Sequence, residues 1–270
     1  MGFLLSEPTF ARFSRWLAGE VGLHLPPQNR TLVQERIDKR LRALGMTSYE
    51  AYFKLVTSPE GLQERQQAID LITTHETYFF REPRHFELLQ GRLLAGWPAG
   101  RPLRLWSAAC STGEEVYSLA MLLQHSLGDR CPWEILGTDV SEGSLARART
   151  GHYANGRIDG IPPHFLKSYL LKGTGPQAGT LLVSRALRQR VAFEHLNLVG
   201  PPEAMKRLGL FDAIFLRNVL IYFDTPTKQE VVARVLERLR PGGFFFLGHS
   251  ESLNGVNSSV HPVAPAAYRK

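Results

Sequence analysis

The order of hydrophobic and polar positions divides the chain into two parts, and the first eighty residues show a helical pattern. In "QNRTLVQERIDKRLRALG" the apolar positions recur at helical spacing. Its apolar face carries Val33, Ile37, Leu41 and Leu44. Gly45 follows at the position where a glycine commonly ends a helix. The stretches "TSYEAYFKLV" and "LQERQQAIDLITT" predict further short helices, so we expect an all-helical domain over residues 1–80.

After "GWPAGRP" the pattern changes to apolar runs of strand length that alternate with helical stretches. The predicted strands are "PLRLWSA", "WEILGTDV", "VAFEHLNL", "FDAIFLRNVLI" and "GGFFFLGHS". Strands that alternate with helices predict an α/β fold with a parallel sheet covered on both faces. Such sheets bind ligands beyond the carboxyl ends of their strands. We therefore expect the binding site of residues 81–270 at those ends.

One segment interrupts the alternation of strands and helices. "LLKGTGPQAGTLLVSRALRQRV" has three glycines and a proline between short candidate strands. This composition predicts a small antiparallel hairpin inserted into the parallel domain. We therefore expect a β-subdomain at about residues 165–190.

The composition, 43% hydrophobic and 10% aromatic, is that of a globular protein with a sizeable core. No run approaches about eighteen apolar residues, so we expect no membrane insertion, and the first residues lack the pattern of a signal peptide. The two cysteines, Cys110 and Cys131, form no CxxC pair, which argues against a disulfide framework or a structural zinc site. We expect a cytoplasmic protein without a bound metal.

The net charge of +7 suits three kinds of partner: nucleic acid, an anionic membrane surface or an acidic protein. Charge alone does not choose among them, and a basic total also serves solubility. No basic tract interleaved with aromatic residues, of the kind that stacks on RNA bases, is present in the sequence. We therefore expect no nucleic-acid partner.

The first predicted strand ends in a turn of small residues, "SAACSTGEE", and two glutamates then open a helix. Such turns commonly hold a dinucleotide or S-adenosylmethionine, which carries a sulfonium and an ammonium. Ala109 and Ser111 stand where a GxGxxG loop has glycines. Glu114 or Glu115 about 4 Å from a pyrophosphate charge would cost on the order of 4 kcal/mol. The cationic cofactor is therefore favoured over NAD, although both glutamates also suit a helix start by opposing its dipole.

Asp139 ends the second predicted strand, in "ILGTDV", about one helix and one strand after this turn. An acid at this place can accept hydrogen bonds from both hydroxyls of a ribose. The alternative role is an N-cap for the helix that begins near Ser141. The sequence leaves both roles open.

Several long motifs, in this order, resemble those of the CheR-type chemotaxis receptor methyltransferases. The matching stretches are "SAACSTGEEVYSLA", "GTDVSEGSLARARTGHY", "FDAIFLRNVLIYFD" and "GGFFFLGHSES". "LITTHETYFFRE" resembles the motif at the junction of that family's two domains, and the resemblance runs from about Val33 to about Leu253. Two departures are His75, where the family usually has asparagine, and "HPVAPAAYRK", which matches the family's closing strands poorly.

The resemblance implies a protein-glutamate O-methyltransferase that moves the methyl group of S-adenosylmethionine onto glutamate side chains of chemoreceptors and releases S-adenosylhomocysteine. It implies a receptor-facing helical domain at residues 1–80. It also implies a Rossmann-like class I methyltransferase domain at residues 81–270, with the inserted antiparallel β-subdomain. Methyl transfer to RNA or to a small molecule stays open as an alternative, as does a non-catalytic module that binds receptor tails or cofactor.

The resemblance also implies which residues form the site. The residues around the cofactor would be His75, Thr77, Arg81, Glu115, Asp139, Asn197, Leu198, Arg217 and Asn218. Glu115 would hold the amino group of the cofactor, and Asp139 would hold its ribose. Asn197 and Leu198 would border the adenine.

The expected catalytic residues follow from the chemistry of the acceptor together with the resemblance. A glutamate has a reference pKa of about 4.3 and is ionised at neutral pH, so it needs no general base. Attack of a carboxylate on a sulfonium methyl neutralises charge. Catalysis should therefore come mainly from proximity and orientation, which supply roughly 7–11 kcal/mol. By resemblance, we expect Arg81 and Tyr222 to position the acceptor.

The resemblance predicts two surfaces for a chemoreceptor. Arg36, Lys39 and Arg42 point outward from their helix or flank its apolar face, and the matching helix of the family is thought to face the acidic methylation helices of the receptor. Complementary charge would act chiefly on the association rate, and an ordinary solvated helix face is the alternative. The β-subdomain looks like the one that, in some members, captures a receptor's C-terminal peptide as an added strand.

Overall fold

The computed structural model describes residues 4–257 and 259–270, and the first of its two domains is helical. The helices of this domain are α1 Glu7–Val21, α2 Arg30–Leu44, α3 Tyr49–Thr57 and α4 Leu62–Ile72. The hydroxyl of Ser6 caps α1 by accepting a hydrogen bond from the N–H of Thr9, and Gly22 ends α1 in the left-handed conformation. Gly45 ends α2 in the same conformation, which confirms the helix end predicted from the sequence.

Apolar side chains from all four helices form the core of the helical domain. Its fully or almost fully buried residues include Phe13, Leu17, Ile37, Leu41, Val56 and Ile69. Glu64 is buried beside them, and its carboxylate accepts hydrogen bonds from the guanidinium of Arg40 at 2.6 and 2.8 Å. The Tyr52 hydroxyl donates a further hydrogen bond to Glu64 at 2.8 Å. These partners compensate the burial of the carboxylate charge.

Arg36 makes a structural contact that the sequence does not predict. Its guanidinium donates hydrogen bonds to the carbonyl oxygens of Ile72 and Thr73, at 2.6 and 3.0 Å, where α4 ends. Carbonyls at a helix end lack partners within the helix, so Arg36 ties α2 to the end of α4. Lys39 and Arg42 of α2 are exposed. The prediction of a receptor-facing surface on α2 therefore depends chiefly on these two residues.

The second domain contains all the strands of the described residues. They are β1 Leu103–Ser107, β2 Trp133–Asp139, β3 His152–Ala154, β4 Leu170–Lys172, β5 Thr180–Val183, β6 Val191–His195, β7 Phe211–Leu216, β8 Leu239–Leu247, β9 His261–Ala264 and β10 Ala267–Arg269. Seven of them form one sheet in the order β6-β2-β1-β7-β8-β10-β9. The first five in that order run parallel, which confirms the predicted parallel sheet. The stretch "HPVAPAAYRK" supplies the antiparallel pair β9 and β10 at one edge.

Helices cover both faces of this sheet, as the alternating pattern predicts. The helices of this domain are α5 Pro83–Leu89, α6 Glu114–Leu127, α7 Glu142–Thr150, α8 Pro163–Tyr169, α9 Arg185–Arg188, α10 Pro202–Lys206 and α11 Thr225–Glu237. Phe215 of β7 packs in one apolar cluster with Leu119 of α6. Its neighbour Leu216 packs in a second cluster with Val235 of α11. No helix in the described part of the chain has the length and apolarity that a membrane span requires.

The remaining three strands form a separate antiparallel sheet in the order β3-β5-β4. This sheet confirms the inserted β-subdomain. It begins at His152 rather than at about residue 165, because β3 adds a strand from before α8 to the predicted hairpin. A strand of three residues is too short to show a period in the sequence.

Candidate active site

A cleft between the two domains lies at the carboxyl ends of β1, β2, β6 and β7. All ten residues predicted for cofactor binding or catalysis line it: His75, Thr77, Arg81, Glu115, Asp139, Asn197, Leu198, Arg217, Asn218 and Tyr222. The cleft encloses about 1040 Å³ of space, part of it open to solvent. Val21 and Leu23, at the end of α1, also line the cleft, and no sequence motif marks them. The structure brings the predicted residues together, and their separate roles stay predictions.

The turn after β1 contains two residues in the left-handed conformation, Ser111 with φ 49° and Gly113 with φ 93°. A Cβ at Gly113 would lie 2.8 Å from the Cβ of Ala148 and 3.0 Å from the Tyr153 hydroxyl. Only glycine therefore lets the turn pack against α7. The glycine therefore serves the packing of this turn.

The two glutamates that open α6 point in different directions. Glu114 is fully buried, accepts a hydrogen bond from the Thr112 hydroxyl at 2.6 Å and pairs with Arg157. Glu115 lines the cleft and accepts a hydrogen bond from the Arg217 guanidinium at 2.7 Å. Glu115, the glutamate that the resemblance assigned to the cofactor, is thus the one that lines the cleft. The chemistry of the turn alone did not distinguish it from Glu114.

Arg217 is enclosed by carboxylates, with 2% of its side chain exposed. One terminal nitrogen donates to Glu115 at 2.7 Å, and the other donates to Glu82 at 2.9 Å and to the carbonyl oxygen of Arg81 at 2.5 Å. Burial opposes ionisation of Glu82, but the charge and the hydrogen bond of Arg217, together with the contacts of His249, outweigh it and hold the pKa of Glu82 below its usual value. Arg217 therefore carries a buried charge that is compensated by carboxylates. The sequence shows no sign of the Glu82 contact, because 135 residues separate the partners.

Asp139 is almost fully buried, and its two oxygens accept hydrogen bonds from the N–H groups of Ser111 at 2.8 Å and Ser141 at 2.9 Å. Burial raises the pKa of the Asp139 carboxyl, although these N–H donors act in the opposite direction. The hydroxyl of Ser141 caps α7 by accepting from the N–H of Ser144. The alternative role of Asp139 as that N-cap is therefore wrong. Each carboxylate oxygen can accept a second hydrogen bond, which leaves capacity for two hydroxyls.

The segment between the domains places His75, Thr77 and Arg81 on the cleft wall. Nε2 of His75 lies 2.9 Å from the Thr73 hydroxyl, and the carbonyl oxygen of His75 accepts a hydrogen bond from the Ser111 hydroxyl at 3.1 Å. The imidazole is thus held by its own segment, while the backbone of His75 contacts the turn after β1. Arg81 is half-buried, so part of its guanidinium is open to solvent.

Two hydrogen bonds join the helical domain to the segments that follow the neighbouring strands β6 and β2. After β6 the side-chain amide of Asn197 donates to the carbonyl oxygen of Glu20 at 2.7 Å. After β2 the carbonyl oxygen of Val140 accepts from the side-chain amide of Gln66 at 2.8 Å. The Asn197 amide is engaged by the helical domain, and the buried side chains of Leu196 and Leu198 give this wall of the cleft its apolar surface.

Glu82, His85 and His249 are the one group in the described part of the chain whose possible ligand atoms could share a metal ion, all within 4.8 Å of one another. Arg217 already pairs with Glu82 there at 2.9 Å, and its positive charge opposes a second cation. Burial and then the charge of Arg217 lower the pKa of His85 to about 4, so this ring is neutral at pH 7. We assign no metal to this group.

Comparison with known proteins identifies the family. Residues 8–73 match the family model described as CheR methyltransferase, all-alpha domain, and residues 75–268 match the one described as CheR methyltransferase, SAM binding domain. The chain belongs to the CheR methyltransferase family. The chemotaxis protein methyltransferase of Escherichia coli (strain K12) is 39% identical over 253 residues, 93% of this chain and 86% of that protein. Chemotaxis protein methyltransferase 2 of Pseudomonas aeruginosa is 40% identical over 248 residues, 92% of this chain and 87% of that protein.

Among solved structures, an O-methyltransferase family protein from Burkholderia thailandensis aligns with 90% of this chain and 66% of its own. The identity is 14% and the TM-score is 0.37. The CheR family assignment stands on the family models and on the relatives that span both domains.

Membership of the CheR family makes S-adenosylmethionine the cofactor, and the cleft fits this molecule. Glu115 and Asp139 supply acceptors suited to an ammonium and to ribose hydroxyls. The Nε–H of Arg217 is buried and finds no hydrogen-bond partner among the described residues. Buried donors are normally paired, and the carboxylate of an amino-acid moiety would satisfy this one.

Proposed function

We propose that this CheR family protein methylates glutamate side chains of chemoreceptors, with S-adenosylmethionine as the methyl donor. The names of its relatives, chemotaxis protein methyltransferases, support a receptor substrate. The observation that carries the proposal is the cleft itself. There the carboxylates of Glu115 and Asp139 suit a cationic cofactor, while Arg81 offers a positive charge to an anionic acceptor. Methylation of RNA or of a small molecule has no comparable support.

The residues of the chain would act by placing the acceptor. S-adenosylmethionine supplies a methyl group on a sulfonium when it is bound. A glutamate side chain is ionised at neutral pH, so no residue has to remove a proton from it. Arg81 would pair with the acceptor carboxylate, and the hydroxyl of Tyr222 would donate a hydrogen bond to it. Both side chains line the cleft and are half-buried, so they can reach a ligand and a substrate.

Arg81→Ala is expected to lower kcat/KM about a hundredfold, and Tyr222→Phe about tenfold, because a misplacement of about 1 Å can cost that much in rate. The measurement is transfer of a labelled methyl group from S-adenosylmethionine to cytoplasmic fragments of chemoreceptors. Arg92→Ala and Tyr169→Phe, outside the cleft, are the matched controls and should keep the wild-type rate. Near-normal rates in both cleft variants would contradict the positioning roles.

The same assay separates the possible acceptors. Release of the label as methanol in mild base identifies a carboxyl methyl ester and supports a glutamate acceptor. A base-stable product, or transfer to RNA in place of receptor fragments, would refute the proposal. Binding of S-adenosylhomocysteine without any methyl transfer would instead favour the non-catalytic module.

We also propose the outer edge of β4 as a site for the C-terminal peptide of a receptor. In the described part of the chain β4 pairs with β5 alone, and Leu171 of β4 is 57% exposed. A peptide can extend such an edge as a further strand. In the same assay, receptor fragments without their C-terminal residues should then show a higher KM, and an equal KM would count against this site.

Charge reversal on α2 tests the docking of acidic methylation helices. The double variant Lys39→Glu and Arg42→Glu is expected to raise KM for receptor fragments about tenfold and to weaken its dependence on salt, with kcat unchanged. The matched control is Lys206→Glu with Arg207→Glu, the same change of charge on the exposed surface at α10. If the α2 double variant has the same KM and the same salt dependence as the α10 double variant, α2 presents an ordinary solvated helix face.

A further inference from the structure

Three cleft residues, Arg217, Asn218 and Tyr222, lie on the loop that follows β7. Asn218 has a φ of 58°, in the left-handed region that residues other than glycine adopt rarely and asparagine more readily than most. Leu220–Tyr222 then forms a short 3₁₀ turn. A backbone of this shape persists only where surrounding contacts hold it. The loop therefore needs an anchor.

The carboxylate of Glu251 supplies this anchor from the "GHSES" stretch after β8. One oxygen accepts hydrogen bonds from the N–H groups of Gly248 at 2.7 Å and Asn218 at 2.8 Å. The other oxygen accepts from the N–H of Ile221 at 3.3 Å. The residue is 8% exposed. Its hydrogen-bond donors in the described part of the chain are backbone N–H groups, two of them from the loop after β7.

Gly248 allows the two segments to approach closely enough for these contacts. A Cβ at this position would lie 2.4 Å from Nδ2 of Asn218 and 2.9 Å from an oxygen of Glu251. Real Cβ atoms do not come so near to other heavy atoms. The absence of a side chain at Gly248, together with the carboxylate of Glu251, thus joins the ends of β7 and β8 at one point.

We propose that Glu251 is a positioning residue for methyl transfer, an inference that rests on the proposed function. Glu251 is not among the residues that line the cleft. It acts through Asn218 and Tyr222, because it holds the backbone from which both side chains reach the cleft. A carboxylate suits this task, since it offers acceptors on both oxygens and no donor. An amide would turn a donor toward one of the backbone N–H groups and leave that group unpaired.

Glu251→Gln is expected to lower kcat about tenfold or more, since a hydrogen bond to a charged group is lost and a buried N–H is left unpaired. A double-mutant cycle with Tyr222→Phe separates positioning from a general loss of stability. If Glu251 acts through Tyr222, Glu251→Gln should slow the Tyr222→Phe enzyme far less than it slows the wild type. If Glu251→Gln lowers kcat by the same factor in the wild type and in the Tyr222→Phe enzyme, the proposal is overturned. An unchanged kcat in the Glu251→Gln enzyme would overturn it as well.

Hydrogen exchange supplies a readout that does not need activity. Glu251→Gln should speed exchange of the amides of Asn218 and Ile221, because their acceptor is weakened. Glu194→Gln, the same change at an exposed residue of β6, should leave both amides unchanged. If Glu251→Gln does not fold, Glu251→Asp, which keeps the charge but shortens the side chain, should fold and show the same two effects. Wild-type exchange rates in a folded Glu251 variant would refute the anchor.

The failure of this inference is distinguishable from the failure of the proposed function. A wild-type protein that binds S-adenosylhomocysteine but methylates no receptor fragment would overturn the proposed function. The exchange of Asn218 and Ile221 in the Glu251 variants would still decide whether this carboxylate holds the loop.

Discussion

Arg217→Met is expected to lower the free energy of unfolding by about 3–5 kcal/mol, the loss typical when one partner of a buried ion pair is removed. The guanidinium lies between Glu82 and Glu115, and its side chain is 2% exposed. Without it, two poorly exposed carboxylates would face each other with no compensating charge. Urea denaturation at pH 7 measures the loss. Arg207→Met, at an exposed arginine, should change the stability little.

A second variant shows whether the lost ion pairs cause this effect. Adding Glu82→Gln to Arg217→Met should recover part of the stability, because one uncompensated charge is removed with it. Acid should also narrow the gap between the wild type and Arg217→Met. The pKa of Glu82 is held below its usual value in the folded protein, so its stabilising contribution is full above that usual value and is lost as the pH falls through the lowered one. No recovery in the double variant would refute this account.

Asp139→Asn is expected to weaken the binding of S-adenosylhomocysteine about a hundredfold, the equivalent of losing one or two hydrogen bonds to a charged group. Both oxygens of Asp139 already accept backbone N–H groups, from Ser111 and Ser141. An amide would present its NH₂ group to one of these donors, and it would offer fewer acceptors to a ribose. Titration calorimetry measures the affinity.

Two controls separate cofactor binding from helix capping. Ser141→Ala removes the hydroxyl that caps α7, and it should cost about 1 kcal/mol of stability with little change in cofactor affinity. Asp159→Asn, at an exposed carboxylate, should change neither quantity. Unchanged affinity in Asp139→Asn would contradict the ribose role.

Local pattern was sufficient to predict much of the fold. The helical spacing around Ile37 and the apolar runs that end at Ser107 and Asp139 predicted a helical domain followed by a parallel sheet. The structure has both. A sheet of this kind gathers the carboxyl ends of its strands at one edge, so chemistry argued for Glu115 and Asp139 already indicated a common site. The other site residues came from the family resemblance, and they too line the cleft.

The local sequence pattern could not predict contacts between residues that are far apart in the chain. Glu82 pairs with Arg217 across 135 residues, and Glu251 holds the backbone of Asn218 across 33. The strand β3 escaped prediction for a related reason, because three residues carry no readable period and gain their strand geometry from pairing with β5.

The sequence by itself determined the two-part architecture, the order of the main strands along the chain and the preference for a cationic cofactor, because periodicity and charge at a turn are local properties. Only the tertiary structure decided that Glu114 is buried and pairs with Arg157. It also decided that Arg36 is held by the end of α4 and that Arg217 is buried between carboxylates. Side-chain direction and charge pairing depend on which segments pack together, and that follows from the whole chain rather than from any one stretch of it.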